Sequence, residues 1–244
     1  MCDNTKYAEL LARYDAAIEG IREAERECGR EGVELVVAAK YASADELDAL
    51  CDFRGLSVIG ENRTDTLIEH YEGMKNRVDI HFIGHLQRNK VKGIIDKVSM
   101  IHSLESLELA KELEKQAQKR GIVIRVLVEV NIGREETKSG VMPENLRDFC
   151  LEIAKFPSIE LCGFMTMAPK CKDPTEYYNY FKETYNLSLD IWRNTLHNIQ
   201  DPVFSMGMSD SYRPAIAAGA TVVCLGSSVF GRTTEDVMKM KNNI

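Results

Sequence analysis

The sequence predicts an α/β protein that folds as a single (β/α)8 barrel with an extra helix before the first strand. Its 244 residues are the usual length for one such barrel. Short apolar segments alternate with segments of helical periodicity, the order expected of parallel β/α units. Neither a linker rich in glycine, proline or serine nor a charge block divides the chain, so we expect one domain over residues 1–244.

The first element is expected to be an amphipathic helix within residues 5–30, which Gly29 and Gly32 bring to an end. Its apolar positions recur at helical spacing and are Tyr7, Leu10, Leu11, Tyr14, Ile18, Ile21 and Cys28. Residues 33–39 then form a mostly continuous apolar run. Such a run is typical of a strand covered on both faces in a parallel sheet, so we place the first strand here.

Further apolar runs predict the remaining strands, at 56–60, 80–84, 98–102, 122–130, 159–165, 202–206 and 221–225. Helical periodicity recurs between them in residues 103–119, 144–155 and 174–197. Ser43 and Glu46 form a capping box that predicts the start of another helix. Periodicity alone does not distinguish a closed barrel from an open doubly wound sheet. The lack of a GxGxxG motif after the first strand disfavours a dinucleotide-binding open sheet.

The composition is that of an ordinary globular protein, with 31 basic and 38 acidic residues and a net charge of −7. This charge disfavours nucleic acid and anionic membranes as partners, and we expect the basic stretch at 88–92 to be a solvated helix face. The seven cysteines form no CxxC pair and are expected to be free thiols in a reducing cytoplasm. Residues 1–6 lack the features of a signal peptide, and no segment has membrane-spanning length, so we expect no export.

The carboxyl ends of the strands are the working face of a barrel, so the residues that follow each strand are the candidate site. Lys40 follows the first strand. After strand seven, Ser209 is expected to open an alanine-rich helix, and after strand eight Gly226 and Ser227 open a short turn. Small residues let main-chain N–H groups face an anion, so the two loops together predict a phosphate site. The 226–231 segment lacks the lysine of a Walker-type nucleotide loop.

Closure of the barrel would place strand eight beside strand one, and therefore Lys40 beside the phosphate site. We expect a lysine at an apolar barrel mouth to lose hydration, which lowers its pKa and frees the amine for Schiff-base chemistry. An amine beside a phosphate site is what pyridoxal 5'-phosphate (PLP) requires. The same arrangement would suit a Schiff-base aldolase that acts on a phosphorylated sugar, and composition leaves both open.

Segments that run nearly from end to end of the chain carry a family resemblance. They are VVAAK at 36–40, IGEN at 59–62, HFIGHLQRNK at 81–90, NIG at 131–133, KSG at 138–140, GFM at 163–165, SMGMSD at 205–210, AAGA at 217–220 and GSSVFG at 226–231. In this order and spacing they resemble the pyridoxal phosphate homeostasis proteins, a family also described as YggS/PROSC-type or alanine racemase N-terminal-domain-like.

The resemblance implies a monomeric barrel that holds PLP as an internal aldimine on Lys40. It further implies that Ser209, Gly226 and Ser227 hold the phosphate and that Asn62 lies near the cofactor ring. Proteins of this family are thought to carry or buffer PLP in the cell without established catalysis. Apo-PLP enzymes would then be transient partners that receive the cofactor.

The chain departs from the family pattern after the last glycine of the 226–231 segment. The family usually has Gly-Ala-Arg there, with the arginine facing the pyridine nitrogen, whereas this chain reads Gly231-Arg232-Thr233. We expect Arg232 to reach the ring through a shifted backbone. An arginine in that place would disfavour protonation of the ring and weaken it as an electron sink, which favours cofactor storage over carbanion chemistry.

The main alternative is a PLP-dependent amino-acid racemase or decarboxylase. Enzymes of that kind with this barrel carry an additional C-terminal β-domain, whereas this chain ends at Ile244, soon after the eighth strand. Racemisation also needs a second acid or base opposite the lysine, and the sequence offers no assured candidate. We therefore expect a protein that binds PLP without turnover.

Other polar side chains are weaker candidates for a functional site. Lys138 would be a second amine, but the charged run at 134–138 is typical of solvated surface. His81 and His85 would lie about 13 Å apart on a strand, too far to chelate one metal ion. Ser205 and Ser209 have no evident His or Asp partner, and residues 207–211 do not form a GxSxG elbow, so we expect no hydrolase.

Overall fold

Eight parallel strands close into a barrel in the order in which they occur along the chain, in a computed structural model that describes residues 5–196 and 200–232. The strands are β1 (Glu34–Ala38), β2 (Val58–Glu61), β3 (Asp79–Phe82), β4 (Met100–Leu104), β5 (Ile124–Glu129), β6 (Ile159–Thr166), β7 (Val203–Met206) and β8 (Val222–Leu225). β1 and β8 pair in parallel, with Glu34 opposite Val222 and Val37 opposite Leu225. The predicted barrel is confirmed, and the open sheet is excluded.

A helix precedes β1, as predicted, and helices follow the strands around the barrel. In the part of the chain that the structure describes, they are α1 (Ala8–Cys28), α2 (Ala44–Arg54), α3 (Thr64–Gly73), α4 (Arg88–Ile94), α5 (Leu107–Arg120), α6 (Leu146–Ile153), α7 (Pro174–Asp190), α8 (Tyr212–Ala218) and α9 (Ser227–Phe230). A 3-10 turn, Pro143–Asn145, precedes α6. The N-terminal α1 packs against both α8 and α9, so it lies over the join between the first and last units.

The start of α2 shows the predicted capping box. The hydroxyl of Ser43 accepts a hydrogen bond from the main-chain N–H of Glu46 at 3.3 Å, and the Glu46 carboxylate accepts one from the N–H of Ser43 at 2.9 Å. The cap satisfies N–H groups that a helix leaves free in its first turn. It also holds the side chain of Glu46 beside the loop that follows β1.

Two apolar layers hold the barrel together. The larger lies between the strands and the surrounding helices and contains the fully buried rings of Phe82, Phe164 and Phe204. A smaller cluster of Val36, Val58 and Val222 lies inside the barrel. Successive residues of a strand point to opposite faces, so each strand contributes to both layers. The polar residues at the carboxyl ends are thereby left above a packed interior.

Several helix boundaries differ from the predicted ones, and residues 103 and 104, which were predicted as helix, belong to β4. α8 begins at Tyr212 instead of Ser209, because residues 208–211 form a turn in which the N–H of Ser211 donates to the carbonyl of Met208 at 2.8 Å. α7 ends at Asp190, and the chain continues as a π-helical turn, Ile191–Thr195. The end of the predicted 174–197 helix, residue 197, lies outside the described residues.

Two predictions made from the composition, for the basic stretch and for the cysteines, are confirmed in the described residues. The basic stretch at 88–92 falls in α4, where Arg88, Lys90 and Lys92 are exposed, as predicted for a solvated helix face. The six cysteines within the described residues are free thiols, and Cys2 lies outside that part of the chain. No described helix combines the length and the apolar character needed to cross a bilayer.

Candidate functional site

A cavity of about 720 Å³ opens at the carboxyl ends of the strands. All the residues that were predicted for a cofactor site line it, and they are Lys40, Asn62, Ser209, Gly226, Ser227 and Arg232. Closure of the barrel brings these residues together from distant parts of the sequence. Their individual roles towards a ligand remain predictions.

Lys40 reaches the cavity from the loop after β1, and its side chain is exposed. Its Nζ lies 4.8 Å from the centroid of the Tyr41 ring, a cation–π contact. The expected loss of hydration at this amine is wrong, because Lys40 stands beyond the end of β1 at the solvent-facing rim. The amine is therefore open to a ligand that enters the cavity.

The main chain around Lys40 is held from three directions. The N–H of Ala42 donates to the carbonyl of Ala39 at 2.9 Å and closes a turn. Arg232 Nη1 donates to the carbonyl of Tyr41 at 2.9 Å, and Nε2 of His70 lies 3.1 Å from the carbonyl of Ala42. An exposed side chain thus projects from a fixed loop.

Arg232 lines the cavity, but its guanidinium is bound to the protein. Besides Tyr41 it pairs with both carboxylate oxygens of Glu46, one of them at 3.2 Å from Nη1. Burial alone would raise the pKa of Glu46, but the hydrogen bonds from Arg232 and Ser43 outweigh burial and hold the pKa below its usual range. In this arrangement the arginine supports the loop after β1, and its predicted reach to a cofactor ring stays a prediction.

Asn62 follows β2 and faces the cavity beside Lys40, since β1 and β2 are neighbours. Its main chain passes against Gly84, which follows β3. A Cβ at Gly84 would lie 2.8 Å from both Cα and the carbonyl carbon of Asn62 and still closer to the carbonyl oxygen, whereas ordinary contacts begin at 3.4 Å. Glycine at this position therefore sets where Asn62 lies.

The loops after β7 and β8 meet through two serines. The hydroxyls of Ser209 and Ser228 are 3.2 Å apart, and the N–H of Ser228 donates to Oγ of Ser209 at 3.3 Å. Gly226 packs against β1, where a Cβ would come within 3.0 Å of the carbonyl oxygen of Ala38. The N–H groups of Ser209 and Ser227 find no acceptor among the described residues. Hydroxyl and N–H donors of this kind suit a phosphate.

The floor of the cavity is a chain of polar side chains, of which His81, His102 and Ser205 are buried and Cys224 is partly buried. Nδ1 of His102 lies 3.0 Å from Oγ of Ser205, its Nε2 lies 3.0 Å from Nδ1 of His81, and Sγ of Cys224 lies 3.8 Å from Oγ of Ser205. Burial lowers the pKa of His81 to about 4 and that of His102 well below its usual value. Burial also raises the pKa of Cys224 to about 11. The floor is therefore uncharged near neutral pH.

The sequence interpretation that Ser205 lacks a histidine partner is wrong. The two residues lie 103 positions apart on β4 and β7, so closure of the barrel was needed to bring His102 to the serine. The second nitrogen of His102 faces His81, and no described carboxylate hydrogen-bonds to the ring, so the arrangement is not a hydrolase triad. His81 is buried inside the barrel, whereas His85 is exposed at the rim and pairs with Glu105 at 3.0 Å.

A second lysine of the cavity is Lys170, which the sequence interpretation missed. Lys138, the candidate considered, is exposed and is not among the residues that line the cavity. Lys170 lies in the loop after β6, four residues beyond Thr166. The loop that carries Lys170 has no glycine or serine motif. The position of Lys170 just after the end of a strand was therefore the sequence feature that could have indicated it.

The comparisons with known proteins agree with this fold. The family model of the alanine racemase N-terminal domain matches residues 18–234. A pyridoxal phosphate homeostasis protein of Aquifex aeolicus is 43% identical over 178 residues, which cover 72% of this chain and 77% of the relative. A solved structure of an unknown protein from Bifidobacterium adolescentis is similar with a TM-score of 0.85 at 30% identity, over 94% of this chain and 98% of that one.

The fold is also that of the PipY protein of Synechococcus elongatus, whose structure was solved with PLP bound. The TM-score is 0.75 at 24% identity, over 86% of this chain and 100% of PipY. The matched range of the family model includes every residue of the predicted site, from Lys40 to Arg232. On the extent of that match and the identity to the Aquifex aeolicus relative, this chain belongs to the alanine racemase N-terminal domain family and, within it, to the pyridoxal phosphate homeostasis proteins.

Proposed function

We propose that this protein binds PLP in the cavity, holds it covalently through Lys40, and so carries or buffers the cofactor in PLP homeostasis. The observation that carries the proposal is that the amine of Lys40 and the serine donors of the loops after β7 and β8 line one cavity. An amine beside donors for a phosphate is the combination that PLP needs. The name of the Aquifex aeolicus relative and the PLP bound to PipY support it.

The residues present fit the cofactor. The cavity has the size of small-molecule sites in general, which span about 300–1,000 Å³. Ser209, Gly226 and Ser227 would hold the phosphate through hydroxyl and N–H donors, and Asn62 would present its amide near the ring. The cofactor, when bound, supplies an aldehyde that captures an amine. The uncharged floor beneath would close the site without placing a competing charge under the ring.

We propose binding without turnover. Racemisation needs a group on each face of the substrate carbon that can give or take a proton. Both ring nitrogens of His102 are engaged, by Ser205 and His81, and the guanidinium of Arg232 is paired with Glu46. Neither side chain is thereby placed to exchange protons with a ligand, which favours retention of the cofactor over its use.

Borohydride reduction tests the role of Lys40. The protein is incubated with PLP, reduced, digested and mapped by mass spectrometry, and the adduct is expected on Lys40. Lys40→Ala should lose this adduct, whereas Lys138→Ala should keep it, because Lys138 lies outside the cavity. An adduct on another residue, or unchanged PLP retention by Lys40→Ala, would contradict the proposal.

A second experiment separates a carrier from a racemase or decarboxylase. The PLP-loaded protein is incubated with single amino acids in deuterated water, and exchange of the α-proton and release of carbon dioxide are followed. We expect neither, and sustained exchange would show an enzyme. We further propose a cytoplasmic monomer of one domain that hands PLP to apo-enzymes, which light scattering and reactivation of an apo-PLP enzyme would test.

A further inference from the structure

His70 lies behind the loop that carries Lys40 and does not line the cavity. Its ring, on α3, is buried between two loops of the site. Nδ1 lies 2.5 Å from Oε1 of Glu61, and Nε2 lies 3.1 Å from the carbonyl oxygen of Ala42. The ring therefore connects the residue before Asn62 with the loop that follows Lys40.

Both partners of the ring are hydrogen-bond acceptors. A carboxylate and a main-chain carbonyl carry no hydrogen to donate, so His70 makes both bonds only when both of its nitrogens are protonated. The other carboxylate oxygen of Glu61 accepts a hydrogen bond from the hydroxyl of Thr66 at 2.9 Å, which holds the carboxylate in place. The geometry thus requires one proton between Nδ1 and Glu61 and another on Nε2, and with Glu61 ionised the ring that makes both contacts is an imidazolium ion.

The surroundings of the ring favour this charged form. Burial alone would lower the pKa of His70, but the hydrogen bond and charge of Glu61, the carbonyl of Ala42 and the charge of Glu69 outweigh burial and raise it. Glu61 acts from β2 and Glu69 from α3 itself. The helices α2 and α4, which pack against α3, place no charged group within hydrogen-bond distance of the ring among the described residues.

The loop after β1 is thereby held by two cations on consecutive carbonyls. Arg232 binds the carbonyl of Tyr41, and His70 binds the carbonyl of Ala42. Each cation is paired with a glutamate, Glu46 in one case and Glu61 in the other. Arginine keeps its charge throughout the physiological pH range, whereas histidine does not, so one of the two contacts can be switched by pH.

We propose that His70 is a positioning residue for the cofactor site, which fixes the Lys40 loop while its ring is charged and releases Ala42 as pH rises. The proposal rests on the proposed function, since it concerns how firmly PLP is kept on Lys40. A histidine whose pKa is raised on folding contributes fully below its ordinary value of about 6.5, and the contribution is lost as pH rises through the raised value. PLP retention should therefore weaken with pH in a way that depends on His70.

The state of the ring can be measured without the cofactor. Nitrogen NMR of the imidazoles, with the signal of His70 assigned through His70→Gln, reports whether each ring nitrogen is protonated. At pH 7 we expect both nitrogens of His70 to be protonated, with a titration midpoint above that of a free histidine. A neutral ring at pH 7 would overturn the proposal, and if His70→Gln folds poorly the signal is assigned by elimination, through substitutions of the other four histidines.

The effect on the site is measured as PLP affinity between pH 6 and pH 9. Lys40 and PLP also titrate, so the quantity compared is the ratio of the affinities of the wild type and His70→Gln at each pH. At pH 6 we expect the wild type to bind PLP about tenfold more tightly than His70→Gln, which is the contribution of one hydrogen bond from a charged donor. At pH 9 we expect the ratio of the two affinities to approach one. The matched control is His85→Gln, an exposed histidine, which should follow the wild type.

A ratio that stays constant from pH 6 to pH 9 would mean that His70 contributes packing alone, and would overturn the proposal. The proposed function fails in a different way, because the wild type would then give no borohydride adduct on Lys40 at any pH. The two failures are therefore distinguishable.

Discussion

Replacing Gly84 with alanine should displace Asn62 and weaken both the fold and the site. The new Cβ would lie 2.8 Å from two main-chain carbons of Asn62, whereas ordinary contacts begin at 3.4 Å. The two segments of the main chain must therefore separate by about 0.6 Å or more. Because both neighbours are main chain, no side chain can rotate to relieve the overlap. Overpacking commonly costs about 1–3 kcal/mol, and we expect the upper part of that range. PLP binding should weaken by about tenfold, the worth of a displaced hydrogen bond.

Gly93 provides the matched control for this substitution. It lies in α4, and a Cβ there would meet nothing within 4 Å. Gly93→Ala should therefore stabilise the protein by up to about 1 kcal/mol, because alanine favours the helix. Urea unfolding of both variants, with PLP titration, tests the opposite signs. Wild-type stability and affinity in Gly84→Ala would refute the reasoning.

The remaining predictions concern Glu129, which is buried, and Cys224, which is partly buried. Burial and the charge of Glu105 raise the pKa of Glu129 to about 7, so the folded protein binds a proton that the unfolded chain releases, and stability falls as pH rises towards 7. Glu129→Gln should raise the free energy of unfolding by up to about 3 kcal/mol at pH 8 and by little at pH 4.5, as measured by urea titration. An equal gain in stability at the two pH values would contradict the raised pKa of Glu129. Cys224 should react with iodoacetamide at pH 8 far more slowly in the folded than in the urea-unfolded protein, because its pKa is raised to about 11. Equal rates, measured by mass spectrometry, would argue against the raised pKa of this thiol.

The barrel and the location of the site were predictable from local patterns. Apolar runs with helical segments between them give the order of the strands, and the rule that barrels work at their carboxyl ends then selects Lys40 and the loops with Ser209 and Gly226. The resemblance added Asn62 and Arg232, which no periodicity would have chosen. The structure places all of them around one cavity.

What could not be predicted depends on which side chains meet across the closed barrel. The exposure of Lys40 depends on how far its loop extends beyond β1, and the contact of Ser205 with His102 depends on interior registers of β4 and β7. The contacts of His70 could not be predicted from the sequence. A histidine within a segment of helical periodicity does not indicate that the carbonyl of Ala42, in another loop, lies against its Nε2.

The hydrogen bond from Arg232 to the carbonyl of Tyr41 joins two residues that are 191 positions apart in the sequence. Lys40 is synthesised early, yet Arg232, which braces its loop, and Ser209 and Ser227, which line the same cavity, belong to the last units of the barrel. Chains are made from the N-terminus, and their parts begin to fold in that order. A growing chain therefore carries Lys40 long before the rest of the cavity is complete, and under the proposed function capture of PLP would report that the final unit has docked against the first.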